Sequence, residues 1–199
     1  DIALVPIGAF PLPQGYKVIG DFCLAAYNKV ESVLLLSQCP MSEIKTILLD
    51  YQSRSSVKYV RILAEKYWNL NCDFVDATES FEFQISGNTA AVIIGDRALN
   101  LRNSFHYKYD LAAEWFKFTG KPAVFAVWVA NNNVDSEFIS KFNSVLKVGV
   151  DSRVVTAQKY KHLYQGFDLQ DYLPNCLDYQ MDSDKLQSIE LFGRYCREL

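Results

Sequence analysis

The chain has 199 residues, half of them hydrophobic, and a formal net charge of −3. That length is enough for one large domain or for two small lobes with apolar cores. The basic residues are scattered along the sequence, which argues against nucleic-acid binding. No apolar run approaches the roughly 18 residues that a membrane span requires. We therefore expect neither a nucleic acid nor a membrane as a partner.

The five cysteines are widely spaced, and the sequence contains no Cys-x-x-Cys pair. We therefore expect free, buried thiols in a reducing cytosol and no structural zinc site. His106 and His162 are far apart and lack the spacing of metal ligands. The sequence accordingly predicts a cytoplasmic protein without a metal or another cofactor.

Apolar runs at residues 1–6, 18–26 and 32–37 predict three strands at the start of the chain. The first of them has no helix or turn in front of it. A protein rarely begins on a strand whose partners all lie downstream, so we expect that a segment upstream of Asp1 is absent.

Residues 44–68 form the central element of the predicted fold. A buried strand that ends at Asp50 leads into a serine-rich turn and then into an amphipathic helix. Ser53 is placed to cap this helix through the amide of Ser56. The amides of the first turn, the positive end of the helix dipole and three hydroxyls converge at one point. Such a point suits a carboxylate or a phosphate, although an ordinary helix cap has the same composition.

A second strand, at residues 90–95, ends in Gly95 and Asp96. Its turn would point amides at the same sheet edge, or it is an ordinary turn with Asp96 as the cap. Residues 122–130 are entirely apolar and predict a strand buried on both faces. The remaining predicted elements are helices at 109–119, 135–147, 152–165, 168–173 and 183–198 and strands at 72–75 and 176–181.

Alternating strands and helices predict an α/β fold with mixed, mostly parallel sheets. The two long apolar strands bracket a middle block, which favours a two-lobed clamshell with crossovers near residues 30–34 and 126–131. One lobe would combine residues 1–32 with 129–199, and the other would contain residues 33–128.

Four stretches of the chain resemble the chorismate dehydratase family of menaquinone biosynthesis, and together they extend over nearly the whole sequence: ILLDYQSRSSVKYVRIL, AAVIIGDRAL, YDLAAEWFKFTGKPAVFAVW and YLPNCLDYQMDSDKLQSIELF. The resemblance implies a periplasmic-binding-protein-like (type II) fold in a cytosolic lyase. Such an enzyme, a monomer or a homodimer, removes water from the dicarboxylate chorismate. The product is 3-[(1-carboxyvinyl)oxy]benzoate, and the reaction is the first step of the futalosine route.

The resemblance also implies a set of substrate-binding residues. The serines at 53, 55 and 56 would hold a carboxylate of the substrate, and the residue at 128 would pack at the returning crossover. The assigned residues are Ser32, Ser53, Ser55, Ser56, Gly95, Asp96 and Trp128. Where the family has Ser-Arg-Thr-Ser, this chain has Ser-Arg-Ser-Ser, which retains the hydroxyl.

The resemblance is incomplete at the front of the chain. The family begins with a strand and a Tyr-Leu-Asn turn that reaches into the cleft, and this turn is missing. Asn28 and Lys29 also stand where the family tends to have glycine before the first crossover. No convincing base is found within the 199 residues, so we expect the catalytic group upstream of Asp1.

Three alternatives remain open from the sequence. The same fold also serves solute-binding proteins that capture small anions, and the enzyme that processes cyclic de-hypoxanthine futalosine. The Asp-Tyr-Gln-Ser-Arg turn favours the dehydratase over the latter enzyme. The third alternative is a homologue that has lost its activity.

Overall fold

The computed structural model describes residues 2–199, which form two β-sheets and seven α-helices. The strands, in chain order, are β1 (Ile2–Pro6), β2 (Tyr16–Ala26), β3 (Val33–Ser37), β4 (Thr46–Leu49), β5 (Asp73–Asp76), β6 (Thr89–Ile94), β7 (Tyr107–Asp110), β8 (Ala123–Asn131) and β9 (Asp178–Gln180). The helices are α1 (Arg54–Lys66), α2 (Gly95–Leu101), α3 (Leu111–Thr119), α4 (Ser136–Asp151), α5 (Arg153–Tyr160), α6 (Leu169–Asp171) and α7 (Ser183–Glu198).

The first sheet has the order β1-β8-β2-β9, and all its neighbours are antiparallel. The second has the order β5-β4-β6-β3-β7, in which only β4 pairs in parallel, with β5 and β6. The α/β class and the mixed sheets are as expected, but the prediction of mostly parallel sheets is wrong. The apolar sequence of β8 indicates burial on both faces and carries no information about strand direction.

The chain crosses from the first sheet to the second through residues 27–32 and returns through residues 120–122. The predicted boundary between residues 128 and 129 falls inside β8, all of which lies in the first sheet. One cluster of buried apolar side chains contains residues of both sheets. The division into two lobes therefore stays a prediction.

Three aromatic rings from three helices join the two sheets. Tyr59 of α1, Trp115 of α3 and Phe192 of α7 are buried, and their ring centroids lie 4.5–6.2 Å apart. The Tyr59 hydroxyl donates to the carbonyl of Val124 in β8 (2.8 Å) and accepts from its amide (3.0 Å). Burial raises the pKa of Tyr59, so the phenol keeps its proton.

All five cysteines are free. Cys23, Cys39 and Cys176 are buried, and burial raises the pKa of Cys23 to about 12. The three buried thiols pack as small apolar side chains. The raised pKa also makes the Cys23 thiol a poor nucleophile.

The turn that follows β1 lies directly on the first peptide of α1. A Cβ atom on Gly8 would overlap the Arg54 carbonyl and would lie 2.6 Å from the Ser55 amide nitrogen. Only glycine permits this approach. The turn after β1 and the start of α1 are therefore one packed unit.

We expect Gly8→Ala to lower the free energy of unfolding by about 1–3 kcal/mol, because its Cβ overpacks against rigid backbone. Gly149→Ala is the matched control, since the new Cβ in α4 would lie within 4 Å of no atom beyond its own stretch of helix. This control should raise stability by up to about 1 kcal/mol. Urea denaturation measures both effects, and equal stability of the two variants would contradict the packing of Gly8.

Candidate functional site

The candidate site lies at the edge of the second sheet where β4 and β6 end and β3 begins. Antiparallel pairing of β3 with β6 sets Val33 opposite Ile94, so the residues just beyond them, Ser32 and Gly95, are neighbours. The Gly95 amide donates to the Ser32 carbonyl (2.8 Å). Ser32 and the Gly95 turn are thus brought together, as the sequence predicts, at the edge where ligands of open α/β sheets bind.

The start of α1 lies at the same edge. Ser53 caps the helix through a hydrogen bond from the Ser56 amide to its Oγ (3.0 Å), which confirms the predicted cap. The Ser53 amide donates to the carbonyl of Asp50 (3.1 Å), so the turn after β4 is closed. The positive end of the dipole of this 13-residue helix is therefore fixed at the site.

Ser55 has a different role from the one expected. Its side chain is buried, its hydroxyl donates to the Phe125 carbonyl (2.8 Å), and its Oγ accepts from the Gly8 amide (3.1 Å). The hydroxyl therefore joins α1 to β8 and to the turn after β1. Its hydrogen already has an acceptor within the protein, so the predicted contact with a substrate carboxylate gains no support from this geometry and stays a prediction.

An ion pair that the sequence did not single out connects the two turns of the site. The buried carboxylate of Asp50 accepts hydrogen bonds from the Arg97 guanidinium (2.6 and 2.7 Å), the Gln52 amide (3.0 Å) and the Ile94 amide (3.2 Å). Arg97 also pairs with Glu82 (2.9 Å). The turn before α1 and the start of α2 are consequently held together by charge. The sequence signal for this pair was an acidic residue at the end of one buried strand, Asp50, and a basic residue just after another, Arg97.

Tyr172 is the second residue that sequence reasoning missed. Its hydroxyl donates to Ser32 Oγ (2.8 Å), which ties the segment before β9 to the first crossover. Burial raises the pKa of Tyr172, so the phenol stays protonated at neutral pH. Nearby, a Cβ on Gly166 would lie 2.6 Å from Asn100 Oδ1 of α2. The C-terminal part of the chain thus closes over the site.

The first crossover is anchored by Asp110 at the end of β7. This carboxylate accepts from the amides of Val30 (2.9 Å) and Glu31 (2.7 Å), and it also caps α3. Glu31 has a φ of 60°, an uncommon conformation for a residue with a side chain. The backbone beside Ser32 is therefore fixed by hydrogen bonds.

Two open cavities flank these residues. One, of about 400 Å³, lies beside the first crossover and is lined by Lys29, Glu31, Leu34, Arg102, Asn103, Lys108 and Asp110. The other, of about 450 Å³, lies beside the start of α1 and is lined by Ile2, Ala3, Val5, Ala9, Pro11, Leu12, Pro13, Tyr16, Arg54 and Val129. The second combines an apolar wall with an exposed arginine, Arg54, a combination that suits an organic anion.

The structure does not bring every predicted residue to this edge. Trp128 packs edge-to-face on Phe142 of α4, with ring centroids 4.9 Å apart. Its neighbours Val127 and Val129 belong to the core shared by both sheets, so Trp128 faces the other side of β8. Asp96 is exposed in the first turn of α2 and makes no cap.

Within residues 2–199, no three side chains of the histidine, cysteine, aspartate or glutamate type come together as metal ligands. In the same part of the chain, no helix has the length and apolar character needed to cross a membrane.

Two solved structures share this fold. An Archaeoglobus fulgidus protein matches with a TM-score of 0.72 and 10% identity, over 100% of this chain and 78% of its own. An ABC transporter protein from Parabacteroides distasonis matches with a TM-score of 0.64 and 14% identity, over 100% and 74%. At these identities both likenesses concern the fold alone, and the periplasmic-binding-protein-like assignment stays a prediction.

Sequence comparison identifies the family. The model of a menaquinone biosynthesis family matches residues 1–198, and the chain belongs to this family. A chorismate dehydratase from Campylobacter jejuni subsp. jejuni serotype O:23/36 (strain 81-176) is 25% identical over 204 residues. The match spans 96% of this chain and 90% of that enzyme.

We expect Arg97→Met to lower the free energy of unfolding by about 2–3 kcal/mol, because the buried Asp50 carboxylate loses its countercharge. The control is Lys147→Met, which removes an exposed pair with Asp151 and should cost less than about 0.5 kcal/mol. Chemical denaturation at pH 7 measures both. Equal effects would show that the Asp50 pair does not stabilise the site.

We expect Ser55→Ala to destabilise the fold by about 1–3 kcal/mol, since the Gly8 amide and the Phe125 carbonyl lose a buried partner. Ser86→Ala, at an exposed serine at the opposite end of β6, is the control and should be neutral. Thermal unfolding distinguishes the two. A stable Ser55→Ala protein with weaker substrate binding would restore the direct binding role.

Proposed function

We propose that this protein is a chorismate dehydratase, a lyase that converts chorismate to 3-[(1-carboxyvinyl)oxy]benzoate in the futalosine route, in the cytoplasm. The observation that carries the proposal is the family match over residues 1–198, together with a relative of nearly equal extent that has this name. The geometry at the edge of the second sheet supports it, because a capped helix start and an exposed arginine suit a carboxylate.

Chorismate has two carboxylates, so we place it between the start of α1 and the Ser32–Gly95 turn. Arg54, which has no acidic partner among residues 2–199, would pair with one carboxylate in the cavity beside α1. Ser53 would supply a hydroxyl there, and the Ser32–Tyr172 pair would supply a polar wall on the opposite side. Ser56 is buried, so its hydroxyl stays a prediction from the resemblance. Trp128 stays a prediction from the resemblance, without support from its position.

The reaction breaks one ring C–H bond and one ring C–O bond. The proton passes to a base and is then delivered to the departing hydroxyl, so that one water leaves, and the electron pair of the C–H bond completes an aromatic ring. Aromatisation provides the driving force, so the protein has to orient the substrate and supply a base. The base stays unassigned, and its predicted place upstream of Asp1 stays a prediction.

The test is to incubate the complete gene product with chorismate and to follow the enolpyruvyl benzoate by mass spectrometry. We expect product, and we expect Arg54→Gln to raise KM by about tenfold or more, because a charged hydrogen bond is lost. The control is Lys58→Gln, one turn further along α1, which should leave KM unchanged.

Two outcomes would contradict the proposal in different ways. Chorismate that binds with a measurable Kd but is never converted would indicate a binding protein. An active enzyme whose KM is insensitive to Arg54→Gln would retain the reaction but move the carboxylate site away from the start of α1.

A further inference from the structure

The helical segment formed by α4 and α5 is apolar on two faces. On the inner face, Phe142 packs on Trp128 of the first sheet. Six large apolar side chains of this segment are exposed. By helical spacing Val154 and Tyr160 lie on other sides of the segment, whereas four share the outer face, which is unusual for a helix packed on one side. We call them the outer stripe: Phe138 (52% exposed), Val145 (69%), Val148 (66%) and Val155 (69%).

The spacing of the outer stripe is symmetric. Successive members are separated by seven, three and seven residues, so the pattern is the same read from either end. This is the a/d spacing of a coiled-coil seam, in which Lys141 and Ser152 occupy the two remaining seam positions. A symmetric stripe is complementary to a second copy of itself when the two copies run antiparallel.

We infer that the outer stripe is the contact of a homodimer, in which the α4–α5 segments of two subunits pack antiparallel about a twofold axis between Leu146 and Lys147. Phe138 would pack on the partner subunit's Val155, and Val145 on the partner subunit's Val148. Lys141 would lie opposite the partner subunit's Ser152, so no two like charges would face each other across the seam. A twofold contact requires the same patch on both subunits, and the symmetric spacing meets this requirement.

The two helices form a nearly continuous rod. The Ser152 amide donates to the Val148 carbonyl (3.1 Å), and the Thr156 amide donates to the Ser152 carbonyl (2.9 Å). At a rise of about 1.5 Å per residue, the stripe from Phe138 to Val155 is about 26 Å long. That is enough for a two-helix seam.

The rod is fixed in place before any association. Asn143 Oδ1 accepts from the Asp21 amide (3.2 Å), and Asn143 Nδ2 donates to the Asp21 carboxylate (3.3 Å). Gly20 has a φ of +82°, and a Cβ there would lie 2.7 Å from Asn143 Oδ1. Because α4 is already ordered on β2, dimer formation does not require the helix to be ordered first, which favours binding.

The contact is small. A single two-helix seam of this length buries less than the roughly 1,600 Å² of a standard specific interface. We therefore expect a reversible dimer that dissociates on dilution. Its strength should depend on every member of the stripe.

The first test is sedimentation equilibrium of the complete gene product over a wide concentration range. We expect a monomer–dimer equilibrium and a dissociation constant at least tenfold weaker in Val148→Glu, which sets two charges near the twofold axis. Val75→Glu, at an exposed valine of β5, is the control and should leave the equilibrium unchanged. A monomer at all concentrations, or equal effects of the two variants, would overturn the proposal.

The second test determines the direction of packing with a short bismaleimide. Phe138→Cys mixed with Val155→Cys should give a cross-linked dimer, because these positions meet across the axis. Phe138→Cys alone should not, since its two copies would lie about 26 Å apart along the seam. The unsubstituted protein controls for the native thiols. Cross-linking of Phe138→Cys alone would show parallel packing and would overturn the proposed antiparallel geometry. An outer stripe that is shielded from solvent in the monomer would overturn it as well.

Discussion

The attachment of α1 to β8 is the constraint on which the rest of the structure depends. Ser55 and Tyr59 are four residues apart, so their hydroxyls leave the same face of the helix and bind successive carbonyls of one strand, those of Phe125 and Val124. The helix that begins at the candidate site is thereby bound to the opposite sheet. Both hydroxyls are buried, where unpaired polar groups are costly, so neither bond is exchanged for water without a free-energy penalty.

This attachment separates the polar groups at the start of α1 into two kinds. Ser55 serves the interior, whereas Ser53 organises the turn and Arg54 remains exposed. The serine-rich sequence therefore supplies both the buried contact of α1 with β8 and the polar groups at the candidate site. The nearby Asp50–Arg97 pair extends the same arrangement to the next turn, since a buried charge holds two loops at a fixed separation.

The sequence predicted the strands of the second sheet near the site and the Ser53 cap, because those features arise from local patterns. The proximity of Ser32 to Gly95 was implied by the family resemblance, since it depends on the non-local pairing of β3 with β6. It did not predict strand direction, which depends on where β8 inserts after a long excursion through the other sheet. It also missed Tyr172, because its contact with Ser32 joins residues 140 positions apart. The buried contacts of Ser55 were missed for the same reason, since both of its partners are distant in sequence.

The strand order of the first sheet also orders events during synthesis. β1 and β2 never pair with each other, because β8 lies between them. By contrast, all strands of the second sheet lie within residues 33–110, so the pairing partners of each strand are close in the sequence. β8 emerges from the ribosome roughly 100 residues after β2, which corresponds to roughly 5–20 s of translation. During that interval the nascent chain carries two unpaired strands in front of a folded sheet, and it is then most open to chaperones and to aggregation.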